Sequence, residues 1–140
     1  MRKIESLPII ICLTYLSACA SASLKQEEIP NWLSEISANE PPAINVTGKW
    51  YDPNGNPVFG WGEGYLRQNQ NNISGAIGNY IIEGRVSSKK VYLVFLSGGK
   101  VYYTARLEMF EDGVLNGSYF DAGDIKQAGG YPTSLARKKD

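Results

Sequence analysis

The sequence predicts an all-β protein in which about eight antiparallel strands, joined by hairpins, close into an up-and-down barrel. Three observations carry this. First, residues 73–120 are a series of short apolar runs, 73–77, 80–86, 91–96, 101–109 and 114–120. The breaks between them are Gly78-Asn79, Ser87-Ser88-Lys89-Lys90, Ser97-Gly98-Gly99-Lys100 and Phe110-Glu111-Asp112-Gly113. β-rich runs separated by tight polar or glycine turns read as an antiparallel meander. Second, nine tyrosines and fifteen glycines in 140 residues suit a sheet with many tight turns better than a helical bundle. Third, strands joined in order leave two exposed edges that closure removes, whereas a sandwich needs longer crossovers than most of these turns supply.

The elements follow in chain order. Residues 1–18 have the layout of an export signal: Arg2 and Lys3 at the start, then an apolar stretch over 7–16 interrupted by Pro8 and Thr14. That stretch is shorter than the about 20 apolar residues a spanning helix needs. It ends in Leu16-Ser17-Ala18-Cys19, which resembles the lipobox of bacterial lipoproteins. The resemblance implies cleavage before Cys19, acylation of Cys19 and a membrane anchor there. Ala20 and Ser21 follow where an inner-membrane retention signal would carry Asp, which implies the outer membrane in an organism that has one. Cys12 leaves with the signal, so the mature chain has no cysteine pair to form a disulfide.

Residues 19–43 are expected to be a lipidated, flexible tether, small and polar, with Glu27, Glu28, Glu35 and Glu40 and ending at Pro41-Pro42. Within it, 31–37 admits one or two helical turns, with Trp32 and Ile36 on one side. Such a helix caps an open end of the sheet or rests Trp32 in the membrane interface; the acidic neighbours favour the cap.

The folded domain is expected over 44–140. A first strand spans 45–51 and ends in the turn-rich 52–57. A second spans 60–68, with Trp61, Glu63, Tyr65 and Arg67 on one face and Gly60, Gly62, Gly64 and Leu66 on the other. Alternate glycines mark a bend or a close approach of another backbone. In 101–109 alternation places Val101, Tyr103, Ala105, Leu107 and Met109 on one face, and Tyr102, Thr104, Arg106 and Glu108 toward water. The 91–96 run is apolar on both faces, which predicts an outer cover such as the tether helix. Gly75, Gly84 and Gly117 each stand third in an Ile-Ser-Gly, Ile-Glu-Gly or Leu-Asn-Gly triplet, as kinks in a curved sheet. After a long loop, 121–132, the run 133–136 closes the sheet.

The opening Gly48-Lys49-Trp50 is similar to the G-x-W start of calycins, the superfamily of lipocalins, fatty-acid-binding proteins and avidins. The closest local match is to avidins, over Thr47 to Tyr51 and Gly55. It implies a barrel whose first-strand Trp is covered by an Arg from the end of the last strand, here Trp50 and Arg137. The biotin-binding positions of the first loop correspond to Asp52 and Asn56, the third-strand Tyr to about Ile77, and the later Trp walls have no counterpart, so biotin is not implied. Residues 60–65, Gly-Trp-Gly-Glu-Gly-Tyr, also resemble a segment of small bacterial lipoproteins, which brings no activity with it.

Chemistry is constrained mainly by missing residue types. Lys plus Arg and Asp plus Glu both number 14, so no net field draws the chain to nucleic acid. Histidine is absent, which removes the commonest general base and metal ligand. No catalytic set, metal site or cofactor is expected. Asp121 and Asp124 lack the spacing of a calcium loop, and the three Asn-x-Ser/Thr triplets at Asn45, Asn72 and Asn116 are coincidences of an Asn-rich β protein. Two classes of function remain. One is a lipid-anchored envelope barrel holding a small apolar ligand or lipid at its mouth, with Trp61, Glu63, Tyr65, Tyr80 and Tyr103 as the binding residues. The other is a protein-binding module, for example an inhibitor of an envelope-attacking hydrolase. Lipid-anchored lysozyme inhibitors carry a Ser-Gly-x-x-Tyr loop, which Ser97-Gly98-Gly99-Lys100-Val101-Tyr102 misses by one residue. A deep apolar cavity favours the first class, and a filled core with a protruding 97–100 hairpin favours the second.

Overall fold

The computed structural model describes residues 24–55, 60–111, 113–122 and 130–139. Cys19, the expected lipidation site, lies outside the described residues, as do Cys12, Asn56 and Asp124. A 3₁₀ turn, Gln26–Glu28, leads into one helix, α1 (Ile29–Ile36). Eight strands follow: β1 (Gly48–Tyr51), β2 (Glu63–Asn69), β3 (Asn72–Ile77), β4 (Tyr80–Ser87), β5 (Lys90–Ser97), β6 (Lys100–Glu111), β7 (Val114–Asp121) and β8 (Tyr131–Arg137). Each pairs antiparallel with the next, and β1 pairs with β8 through Trp50↔Arg137 and Tyr51↔Ala136, so the barrel is closed.

Closure follows from patterning. Along β4 and β5, Ile82, Gly84 and Val86 face Phe95, Leu93 and Val91 in register, and all of these point inward. Trp50, Leu66, Ile77, Phe95, Leu115 and Leu135 complete an interior with essentially no solvent exposure. The barrel is therefore filled by its own side chains.

Three expectations shift. The first strand begins at Gly48 rather than at residue 45, because side chains replace the ladder before it. The Gln68 amide group accepts from Val46 N at 2.9 Å and donates to Ile44 O at 3.0 Å, while Gln68 N donates to Thr47 Oγ1 at 2.9 Å. The second strand begins at Glu63. Gly62 has φ +85°, a conformation side chains avoid, and it breaks the alternation so that Trp61 turns inward while Glu63 and Tyr65 face out. In β6, Leu96 pairs with Val101 but Phe95 pairs with Tyr103, so Tyr102 is an extra residue and the strand carries a bulge. Val101 therefore faces outward instead of sharing a face with Tyr103. Thr104, opposite Val94, is buried on that outer side instead of facing water.

The outer face of β5 and β6 has a cover, as its apolar sequence requires. Leu24, Ile29, Trp32 and Leu33 bury against Tyr92, Val94, Leu96 and Val101. The helix presents 29, 32, 33 and 36, one face at i, i+3, i+4, i+7. It lies on the wall of the barrel, not over an open end, and Trp32 is buried there. The described part of the expected tether is thus packed on the domain: Lys25 bridges to Lys100, Pro42 bridges to Ser88, and Ala43 N donates to Ser88 O at 2.9 Å. Ile29 has no exposed surface. Ile29→Ala should cost about 2–4 kcal/mol in chemical denaturation, the range for a buried aliphatic truncation. A loss below about 0.5 kcal/mol would mean that the helix is not part of the cooperative unit.

Candidate functional site

The barrel has unlike ends. At one, Arg137 lies across Trp50 with its guanidinium carbon 4.6 Å from the ring centroid. Its Nη1 donates to Thr47 O and its Nη2 to Asn45 O, each at 2.7 Å. This is the closure expected from the opening Gly48-Lys49-Trp50.

The other end opens into a cup of about 440 Å³. Asp52 and Asn54 from the loop after β1, Trp61 from the turn before β2, Tyr80 from β4, Tyr103 from β6 and Tyr119 from β7 line it. The strands deliver these rings to one end of the barrel: Tyr103 is in register with Phe95, and Tyr119 with Ala105 and Tyr131. Trp61 forms the floor, with its ring centroid 4.1 Å from that of Phe95 in the core. The remaining rings stand at steep angles to one another. Tyr103 and Tyr119 are 5.7 Å apart at 87°, Tyr80 and Tyr103 5.7 Å at 76°, and Trp61 and Tyr119 5.3 Å at 71°. Edge-to-face pairs of this kind add about 0.5–1.5 kcal/mol each beyond area burial, so the rim is firm without a bound molecule.

The polar groups are held as well. Asp52 Oδ1 accepts from Asn54 N at 3.0 Å, and Oδ2 accepts from Trp61 N at 3.3 Å. Asn54 Nδ2 donates to Ser134 Oγ at 3.1 Å, joining the loop to β8. Burial first, then Tyr103 and Tyr102, raise Tyr80 above the ordinary phenol range. Burial first, then Tyr103, Asp121, Tyr131 and Asp52, raise Tyr119. These two hydroxyls are therefore protonated and neutral near pH 7.

Of the residues expected to bind, Trp61, Tyr80 and Tyr103 meet in the cup. Glu63 and Tyr65 lie on the outer surface, for the reason Gly62 supplies. Glu63 pairs there with Lys138, Oε2 to Nζ at 2.6 Å. The Lys138 hydrogen bond, then its charge, lowers the Glu63 pKa below the ordinary carboxylate value. Its contribution is thus present above that value and lost as pH falls through the lowered one. Both side chains are well exposed, so Glu63→Gln should leave the melting temperature and any ligand bound at the cup unchanged.

Tyr119, Asp52 and Asn54 were not among the expected site residues. Asp52 did carry a signal, since the resemblance to avidins matches it to a ligand-binding position of their first loop. Tyr119 carried none, because only the packing of β6 against β7 brings its ring within 5.7 Å of that of Tyr103. Among the described residues, no group of three or more His, Cys, Asp or Glu is placed to hold a metal ion. Comparison with protein-family models, with curated proteins and with solved structures finds no match.

Proposed function

We propose that this chain is a lipid-anchored barrel of the cell envelope that binds a small ligand in its aromatic mouth and catalyses no reaction. The observation that carries the reading is the cup itself. Its volume lies within the ordinary range of ligand sites, and its aromatic rings meet a few fixed polar groups. The ligand sits above Trp61, because the barrel beneath is packed with side chains. That favours a small molecule or headgroup over an acyl chain threaded into the barrel. The Trp50–Arg137 closure supports the calycin resemblance.

Anchoring rests on Leu16-Ser17-Ala18-Cys19 and gains a geometric consequence. Only residues 20–23 separate Cys19 from Leu24, which packs on the barrel wall beside the Lys25–Lys100 bridge. Lys100 begins β6 at the mouth end. Five Cα steps of extended chain span at most about 18 Å. An acylated Cys19 would therefore keep the mouth end close to the bilayer, where a membrane-derived ligand is available.

The filled core is the one observation that favours a protein-binding module instead. Against it, the 97–100 hairpin is short: Ser97 pairs with Lys100 across a two-residue turn, and Lys25 lies alongside.

Mass spectrometry tests both parts. Intact protein extracted from membranes should begin at Cys19 and carry acyl mass; an unmodified mature chain beginning elsewhere would end the anchoring reading. Native spectra should show a stoichiometric small molecule that is lost in a folded Tyr103→Ala variant. No bound molecule, together with no response to any small ligand in a broad screen, would end the binding reading.

A further inference from the structure

We propose that the mouth selects a compact organic cation, a primary or quaternary ammonium group, caged by Trp61, Tyr80, Tyr103 and Tyr119 and drawn in by Asp52 and Asp121. This rests on the binding reading above and gives it a ligand class. Three observations lead there.

The first is ring geometry. Three neighbouring ring pairs of the cup stand 71–87° apart, and Trp61 and Tyr103 are tilted at 48°. A flat ligand, such as a sugar face or an aromatic ring, stacks on one ring and meets the others edgewise. A compact, roughly spherical group fits a corner between perpendicular walls. Ammonium groups are bound in this way, because the negative face of each ring attracts the charge, most strongly for Trp and then Tyr.

The second is the sign of the charge. Asp52 lines the cup, and Asp121 is an exposed residue in register with Tyr103 at the end of β7. Both carboxylates contribute to raising Tyr119, in keeping with their place at the mouth end of the barrel. No Lys or Arg lines the cup among the described residues. Lys100 lies over Tyr102, 5.2 Å from that ring, and neither residue lines the cup. An anion entering the mouth would meet like charge and neutral phenols; a cation would meet two carboxylates.

The third is that, among the described residues, Asp52 is positioned without being used up. Its oxygens accept two backbone N–H groups, from Asn54 and Trp61, while a carboxylate has about four acceptor sites. The loop thus fixes the carboxylate at the rim and leaves acceptor capacity for a donor from the ligand.

The test is an NMR titration of the full-length chain with choline, ethanolamine and tetramethylammonium. The comparison compound is 3,3-dimethylbutanol, which has the shape of choline without its charge. Choline should bind at least about tenfold more tightly than the neutral isostere, with shifts centred on Trp61, Tyr103 and Tyr119, and raising the salt should weaken it. Asp52→Asn keeps an oxygen for only one of the two backbone donors and should melt somewhat below the parent, so its fold is checked by circular dichroism, whereas Asp121→Asn alters an exposed residue and should melt as the parent does. Each should weaken choline several-fold and leave the isostere unchanged. Equal binding of choline and its isostere at the mouth would overturn the charge assignment while leaving a ligand site in place. Unchanged choline affinity in both Asn variants would do the same. No binding of any of the four compounds would overturn the ammonium proposal, and the broad ligand screen then decides whether the cup binds anything else.

Discussion

Arg137→Ala should lower the stability of the barrel by about 2–4 kcal/mol, with a fall in Tm on the order of 10–20 °C for a domain of this size. The side chain makes three contacts at once. Its guanidinium lies 4.6 Å over the Trp50 ring, and its two terminal nitrogens each donate at 2.7 Å, to Thr47 O and Asn45 O. A cation over an indole contributes about 0.5–2 kcal/mol, and hydrogen bonds from a charged donor about 1.5–3 kcal/mol each. The sum is not additive, because one side chain makes all three contacts and Asn45 O is near water. Loss of the side chain also uncovers Trp50, which has no exposed surface. Moreover, β1 meets β8 through only two register pairs, so this is where the ring of strands is thinnest. Arg137→Lys should recover part of the loss, since an ammonium can reach one carbonyl but cannot stack. Lys139→Ala, in the exposed tail, is the control. Denaturant melts showing equal, small effects for Arg137→Ala and Lys139→Ala would mean that the barrel does not depend on this clasp.

Gly64→Ala should be more damaging still, at about 3 kcal/mol or more, and chains carrying it should be recovered largely misfolded. A Cβ at Gly64 would come 1.8 Å from Ala76 O and 2.7 Å from Ile77 Cα, both on the neighbouring strand. Backbone of a paired strand cannot swing aside as a side-chain tip can. Gly117 is in the same position against Arg106 O, at 1.9 Å, and Gly75 against Tyr65 O, at 2.1 Å. These glycines let the sheet coil tightly enough to close on eight short strands. Tyr65→Ala, on the next residue of β2 but exposed, should cost little by comparison. Circular dichroism and a urea melt separate the two. A Gly64→Ala variant that melts like the parent would show that the close approach of β3 is dispensable.

Much of the fold was legible in the chain because it is local. Strands β3 to β7 start and end within a few residues of the apolar runs, since each break supplies its own turn chemistry through glycine, serine or asparagine. The need for a cover over 91–96 was legible for the same reason: a strand apolar on both faces cannot leave one of them in water. The pairing of Trp50 with Arg137 was legible only through a resemblance, because no local rule connects residues 87 positions apart. The errors fell where alternation breaks. One glycine in a positive-φ conformation moved Trp61 to the inside and left Glu63 and Tyr65 outside. One extra residue at Tyr102 reversed Val101.

The sequence by itself determined an all-β meander of about eight strands and a set of residue types poor in catalytic groups. It did so because side-chain period and turn composition act over a few residues. The tertiary structure alone decided which rings meet. Trp61, Tyr80, Tyr103 and Tyr119 come from four separate places in the chain, and only the closed barrel brings their rings together beside Asp52. It also decided that the interior is filled, because whether eight strands enclose a cavity or a core depends on how facing side chains share the volume between them.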